Sequence, residues 1–351
     1  MAKKRKFFLL KLVVAIIILA VAAGGFLGFK FYKMIYQPNV ILGDKKTEYF
    51  YIPTGSNLND VVNLLYEKNL ILNRNSFEWV SERKNLKSNI HPGRYLIRTG
   101  MSNDDLINLL RSGKQEPVKI SINNIRIKED LASLVSRLIE ADSMKLIKLM
   151  ENEDYCKKFG FNKENILCMF IPNTYIFDWN TSAEQFFERM SKEYKFFWNE
   201  PRKLKAKNAG LSQTQVSILA SIVQKETNMA DEKPRVAGVY INRINKNMLL
   251  QADPTLVFAL KQFSLKRILN FHKEIDSPYN TYKYQGLPPG PICLPEISSL
   301  ESVLNFEKHD YFYFCAKEDF SGYHNFAKNY TQHFINANKY QRELNKRKVF
   351  N

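Results

Sequence analysis

The residue types best suited to chemistry lie between Leu211 and Arg243, in LSQTQVSILASIVQKETNMADEKPRVAGVYINR, and first among them is the acid Glu226. Ser212, with Gln215 three residues on, has the form of a helix N-cap and capping box. At about 100° per residue, Val216, Leu219, Ala220, Ile222 and Val223 share one helix face, and Glu226 falls near its centre. Ser217, Ser221, Gln224 and Lys225 are expected on the opposite, solvent side. Desolvation on the apolar face would raise the Glu226 pKa, which suits a general acid working near neutral pH. The alternative is a helix-end Glu that escapes to water or meets Arg235 or Arg243.

Other chemistries lack their signatures. There is no HExxH, no glycine-rich phosphate loop and no serine nucleophile elbow. Cys156, Cys168, Cys293 and Cys315 are widely separated and show no CxxC spacing, so a zinc site is not expected. An oxidising compartment would allow one or two disulfides among them, with no pairing set by the spacing. His324 and His333 lack a neighbouring carboxylate pattern and suit loop hydrogen bonding better than a metal. No metal and no cofactor is expected.

The elements that must position Glu226 belong to a 351-residue chain of formal charge +17. Lys3, Lys4, Arg5, Lys6 and Lys11 precede Leu12 to Phe29, an uncharged and mostly apolar run able to span a bilayer core. The heavier positive cluster on the N-terminal side predicts a cytoplasmic N-terminus with the rest outside. A signal peptide cleaved near Ala20-Val21-Ala22-Ala23 is the rival, but the apolar run continues past that point. The remaining Lys and Arg are dispersed, as on a solvated surface or one facing anionic lipid or an acidic polymer. Nucleic acid is not expected as a partner, because the body of the protein would lie outside the cytoplasm.

After a polar connector at Tyr36 to Lys46, the chain reads strand, turn and helix from Tyr49 to Ile71. The pattern then returns: Ile52-Pro53-Thr54-Gly55 matches Ile97-Arg98-Thr99-Gly100, and Asp60 to Leu65 matches Asp105 to Leu110. Ser76 to Lys87 reads as a helix between them, and a fainter echo runs from Ile120 to Ile139. Pro172 to Tyr175 is expected to break regular structure, Thr181 to cap a helix, and Arg202 to Asn208 to be a basic connector. Further on come an apolar helix from Leu256 to Gln262, a rigid loop through Gly286 to Ile292, and a buried strand at Tyr311 to Ala316. Gly322 to Phe326 reads as a loop, and Tyr330 to Lys348 as a basic helix.

ASIVQKET (Ala220 to Thr227), VYINR (Val239 to Arg243), LQADPT (Leu250 to Thr255), SPYNTY (Ser277 to Tyr282), GLPPGPI (Gly286 to Ile292) and the His324 to His333 segment occur in this order. Together they resemble the endolytic murein transglycosylase, or YceG-like, family. The repeated strand-turn-helix region resembles the LysM-like part of envelope glycan enzymes. The fold implied is α+β: an N-terminal transmembrane helix, a small LysM-like βααβ module and a mixed α+β catalytic domain. The expected boundaries are a tail at 1–11, an anchor at 12–31, a linker at 32–46, the LysM-like module at 47–116, an intermediate region at 117–204 and the catalytic domain at 205–351.

The resemblance implies an enzyme of the bacterial inner membrane that cuts peptidoglycan glycan strands between N-acetylmuramic acid and N-acetylglucosamine. It implies Glu226 as the catalytic acid, with Gln224 standing where the family commonly has a second Glu. Asn242, Arg243, Gln251, Asp253, Tyr279, Asn280, Tyr282 and His324 are the residues the motifs nominate for the glycan wall. Structural alternatives stand beside them: Asn280 as a turn cap, Tyr282 as core, Asp253 as a helix start and Arg243 as a neutralising charge. Penicillin-binding proteins and other wall synthesis proteins are partners implied by the resemblance alone. The competing functions are a hydrolytic muramidase, with Asp253 or Glu232 as second carboxylate, and a non-catalytic membrane-anchored scaffold that binds glycan.

Overall fold

The computed structural model describes residues 2–265 and 268–347, with side chains described from residue 6. The chain divides into two compact units, Met1–Val118 with Ile176–Asn180, and Lys119–Tyr175 with Thr181–Asn351.

The first unit opens with helix α1 (Ala2–Tyr36), which is long and apolar enough to cross a membrane. The side chains of Lys3, Lys4 and Arg5, part of the expected tail, lie outside the described residues. Strand β1 (Thr47–Ile52), helices α2 (Leu58–Glu67) and α3 (Arg74–Arg83), strand β2 (Gly93–Arg98) and helix α4 (Asn103–Ser112) follow. The strands pair antiparallel with Phe50 opposite Tyr95. Their inner residues Phe50, Ile52, Tyr95 and Ile97 form one core with Val61, Leu65, Phe77 and Leu106. The expected strand, helix, helix, strand order is present, with α4 as a third helix.

The internal repeat has a local cause. Gly55 and Gly100 both sit at positive φ, +88° and +85°, where a Cβ would be strained, so each strand exit needs its Thr-Gly turn. Asp60 and Asp105 close capping boxes onto Asn57 and Ser102, starting α2 and α4. The expected connector is not free chain. Val40 and Leu42 are buried in this core, and Asn39 donates to Asn103 Oδ1 at 2.6 Å. Asn103 in turn donates to the Met34 carbonyl at 2.8 Å, tying the end of α1 to α4.

Strand β3 (Val118–Ile122) leads into the second unit, where α5 (Lys128–Ser136), α6 (Ser143–Glu151) and α7 (Glu153–Lys157) come first. The segment expected to break regular structure is instead strand β4 (Asn173–Phe177), rich in β-branched and aromatic residues. Helix α8 (Ala183–Phe197) is capped by Ser182 and Gln185, one residue beyond the expected Thr181. The expected basic connector is helix α9 (Glu200–Asn208), because Asn199 caps it and Pro201 sits in its first turn.

Helix α10 (Gln213–Glu226) carries the expected Ser212–Gln215 capping box and lies at the centre of this unit. Around it are α11 (Lys233–Asn245), α12 (Asp253–Ala259) and α13 (Ile297–Leu304), a helix the sequence reading passed over. Ser217 and Ser221 are 1% and 0% exposed, so the expected solvent face of α10 is covered at these two, whereas Gln224 is half-buried and Lys225 is exposed. Small hydroxylated side chains allow this, because each hydroxyl bonds within its own helix. Ser217 donates to the Gln213 carbonyl at 3.3 Å and Ser221 to the Ile218 carbonyl at 2.7 Å. Ser221 also accepts from the Ile292 amide at 3.0 Å, docking the Gly286 to Ile292 loop onto the helix.

Strand β5 (Tyr313–Ala316) is half-buried, not fully buried as expected, and pairs antiparallel with β6 (His324–Ala327), which occupies part of the expected loop. Helix α14 (Tyr330–Lys346) follows, and the expected end at Lys348 lies outside the described residues. All four cysteines are free, and Cys156, Cys168 and Cys293 are buried, so the expected disulfide option is not taken.

The Gly286 to Ile292 loop depends on one close approach. A Cβ at Gly290 would overlap the Glu164 carbonyl and come within 2.8 Å of the Tyr279 hydroxyl. Gly290→Ala is expected to destabilise the protein by about 1–3 kcal/mol, through overpacking against backbone that cannot yield. A chemical denaturation midpoint equal to wild type would refute this.

Candidate active site

Helix α10 ends on Glu226, and its side chain is half-buried at the junction of two cavities of about 570 and 290 Å³. The chain then turns at Thr227, whose hydroxyl donates to Glu232 Oε2 at 3.1 Å, and enters α11. Seven residues into α11, the Tyr240 hydroxyl donates to Glu226 Oε1 at 2.6 Å. Among the described residues no other group bonds to this carboxyl, so Oε2 is without a partner.

Burial lifts the Glu226 pKa to about 7, with the charge of Asp253 adding to the rise. The Tyr240 hydrogen bond and the Arg243 charge act against it. The group is therefore poised between acid and carboxylate near neutral pH. Burial and the neighbouring Glu226 push the Tyr240 phenol well above its ordinary value, so it stays a donor.

Asp253 lines both cavities with Glu226, and its Oδ1 accepts from the Tyr282 hydroxyl at 2.5 Å. Arg243 and Gln251 line the smaller cavity with Tyr240, Tyr282 and Tyr313. Arg243 is 8% exposed and bridges two loop segments. Its Nε donates to the Phe312 carbonyl at 2.6 Å, and its Nη1 donates to the Leu249 and Leu250 carbonyls at 3.1 and 2.9 Å. Burial lowers its pKa from the ordinary guanidinium value. Gln251 holds a positive φ of 51°, which turns the chain as it enters α12. Glu226, Arg243, Gln251, Asp253 and Tyr282 are thus brought together.

The other four nominated residues do not line these cavities. Asn280 is 0% exposed, and its amide donates to the Lys273 and Ile275 carbonyls at 2.8 and 2.7 Å while its Oδ1 accepts from the Tyr282 amide. It shapes the loop that presents Tyr282. Tyr279 packs its ring 4.7 Å from Phe258 in the apolar core. Asn242 donates to the His309 and Tyr311 carbonyls at 2.7 and 3.0 Å, fixing the approach to β5. His324 Nδ1 lies 2.7 Å from Glu232 Oε2, and its amide donates to Glu232 Oε1. These contacts also occupy Glu232, which is 2% exposed and does not line either cavity, so it does not supply a second carboxylate beside Glu226.

Two further residues line the smaller cavity, Tyr240 and His333. Tyr240 had a signal: a Tyr on the apolar face of α11 needs a partner for its hydroxyl, and Glu226 was the unpaired acid nearby in sequence. His333 lies on α14, in no loop, and stacks on Tyr313 at a centroid distance of 5.3 Å. Its Nδ1 is buried with no hydrogen-bond partner among the described residues, and burial lowers its pKa. No group of three or more His, Cys, Asp and Glu able to hold a metal occurs among the described residues.

The Glu226 shift has a consequence for stability. The unfolded chain releases this proton near 4.5 and the folded chain near 7, so between those values the folded state holds more proton and stability declines as pH rises. Glu226→Gln removes that penalty. Its stability relative to wild type is expected to grow from pH 4.5 upward and to level off above 7, reaching on the order of 3 kcal/mol. Melting curves of both proteins across this range check it, and a difference independent of pH would contradict it.

The YceG-like family model matches residues 50–339 of this chain. An endolytic murein transglycosylase of Bacillus subtilis (strain 168) is 30% identical over 307 residues, covering 83% of this chain and 84% of that protein. The endolytic murein transglycosylase of Streptococcus pneumoniae (strain ATCC BAA-255 / R6) is 27% identical over 330 residues, with 84% of this chain and 58% of that longer protein covered. The crystal structure of a yceG-like protein from Listeria monocytogenes superposes with a TM-score of 0.53 at 27% identity, covering 83% of this chain and 99% of that one. With a match across most of its length and a fold shared with a member of known structure, the chain belongs to the YceG-like family.

Proposed function

We propose that this protein is a membrane-anchored lytic transglycosylase that cleaves peptidoglycan glycan strands internally. The bond cut is the one between N-acetylmuramic acid and N-acetylglucosamine, with Glu226 as acid and then base. The observation that carries this is an acid at the junction of two cavities, lifted to about 7 by burial, with one oxygen held by Tyr240 and the other without a partner among the described residues. The names borne by the Bacillus and Streptococcus relatives support the same reaction class.

In the first step Glu226 Oε2–H protonates the glycosidic oxygen, and the bond to the muramyl C1 breaks. The leaving sugar gains its 4-hydroxyl, and positive charge develops at C1. The Asp253 carboxylate, oriented by Tyr282, faces that charge across the same cavity. In the second step the muramyl C6 hydroxyl attacks its own C1, and the Glu226 carboxylate takes the hydroxyl proton. The product end is a 1,6-anhydro sugar, the acid is restored and no water is consumed. Attack from within the same sugar supplies proximity that an external nucleophile would lack. Tyr240 stays hydrogen-bonded to Oε1 throughout and steadies the carboxylate between the steps.

One observation favours a second reading: Asp253 shares both cavities with Glu226, as a second carboxylate would in a hydrolase. Mass spectrometry of digested peptidoglycan separates the two. The expected products end in the anhydro sugar, one water lighter than the ordinary reducing end, and reducing ends alone would establish hydrolysis instead.

Helix α1 anchors the protein in the cell membrane, with its basic N-terminus in the cytoplasm and the chain beyond Tyr36 outside. The first unit then acts as a LysM-like module near the membrane. Partnership with wall synthesis proteins such as penicillin-binding proteins fits an enzyme that trims strands as they are made.

A further inference from the structure

Resting on the transglycosylase reading, we propose that the groove continues beyond Glu226 into a basic subsite formed by Arg126, Arg137 and Lys225, which binds carboxylates of the peptide stem carried by the muramyl sugar. The larger cavity at Glu226 also has Arg126, Lys225 and Phe263 in its wall. The same three residues line a further cavity of about 650 Å³, which extends to Asn123, Arg137 and Gln224. The shared wall residues set the two cavities side by side. Gln224, Lys225 and Glu226 are the last residues of α10, so one helix end supplies both the catalytic acid and the entrance to the basic part.

Positive charge is in excess in this subsite, with Arg126, Arg137 and Lys225 against the single carboxylate of Asp130 among the described residues. Arg126, Arg137 and Lys225 enter no ion pair among the described residues, whereas nearby Lys128 is paired with Glu151. Asp130 is the one carboxylate in the wall among the described residues. Its Oδ2 is engaged by the Arg126 and Ile127 amides at 3.0 and 3.1 Å, where it caps α5. The Arg126 guanidinium lies 4.5 Å from the centre of the Phe263 ring, which holds the side chain in place while leaving its donor edge open.

The sugar rings are neutral, and a strand stripped by an amidase keeps only the lactyl carboxylate on each muramyl sugar, whereas a peptide stem carries carboxylates farther out, where the basic cluster lies. The charged part of this substrate is the substituent on C3 of the muramyl sugar, a lactyl group extended by a peptide that ends in carboxylates. Because the bond cut is at C1 of that sugar, its stem must leave the catalytic cavity close to Glu226. A pyrophosphate at the end of a lipid-linked strand is the other anion available, and inorganic pyrophosphate serves as its probe.

The test compares kcat/KM of the full chain on glycan strands bearing peptide stems and on the same strands stripped of them by an amidase. The wild type is expected to prefer stem-bearing strands, and Arg126→Gln with Arg137→Gln to lower that preference about tenfold. The preference should also shrink as salt rises. An equal effect of the substitutions on both substrates, no effect on either, or competition by pyrophosphate without any stem preference would overturn the proposal. If the wild type cleaves neither substrate, the transglycosylase reading fails on its own. Binding of the two fluorescently labelled strands to the Glu226→Gln protein then still decides the subsite: tighter binding of stem-bearing strands, lost in the Arg variants, supports it, and equal binding refutes it.

Discussion

Glu226→Gln is expected to lower glycan cleavage by about 10²–10⁴-fold while leaving strand binding in place. Glutamine fills the same volume and its amide oxygen still accepts from the Tyr240 hydroxyl, so the site keeps its shape. What is lost is the proton that Oε2 must deliver and later recover. Among the described residues no other acid stands ready to replace it. Asp253 is committed to the Tyr282 hydroxyl, and Glu232 is buried against His324 and Thr227. Release of anhydro-ended fragments from purified strands is the measurement, paired with a binding assay on the same protein. Cleavage within threefold of wild type would remove Glu226 from the mechanism. Undiminished binding with no cleavage by the wild type itself would favour the scaffold reading.

Arg243→Met is expected to destabilise the second unit by about 3–5 kcal/mol, the cost of breaking a buried charged hub. Methionine preserves most of the stem volume but leaves the Phe312, Leu249 and Leu250 carbonyls without their donor. Those carbonyls belong to the entry to β5 and the approach to α12, the two segments that carry Tyr313 and Asp253 to the cavity. Activity should therefore fall along with the denaturation midpoint. Arg243→Lys is expected to recover only part of the loss, because one ammonium cannot reproduce the divergent donors of a guanidinium. If Arg243→Met melts with wild type but loses activity, the residue acts on substrate and is not a structural bridge.

Much of the fold was legible where it is set locally. The capping box of α10, the paired Thr-Gly turns and the Asp60 and Asp105 boxes each depend on residues three or four apart. Their side chains recognise nearby backbone whatever the rest of the chain does. Misreadings arose where distant chain decides. Ser217 and Ser221 looked exposed by periodicity, yet the Ile292 loop and its neighbours cover them, since small self-bonded hydroxyls tolerate close packing. Helix α9 resembles a connector in sequence because its charges mask the Asn199 cap, and α13 carries no side-chain cap or motif.

The same division runs through the site. Local pattern alone places an acid at the apolar side of a capped helix end, and the motif set points to a glycan-cleaving family. Which groups meet that acid depends on how distant segments pack. Tyr240 reaches Glu226 across the α10–α11 turn, and Asp253 and Tyr282 arrive from separate loops, whereas Asn280, Asn242, Tyr279 and His324 turn inward to hold those loops in place. A motif records that a polar residue is required. Whether its donors and acceptors face backbone or cavity depends on the path of chain segments far apart in sequence, and that path is settled by packing in three dimensions.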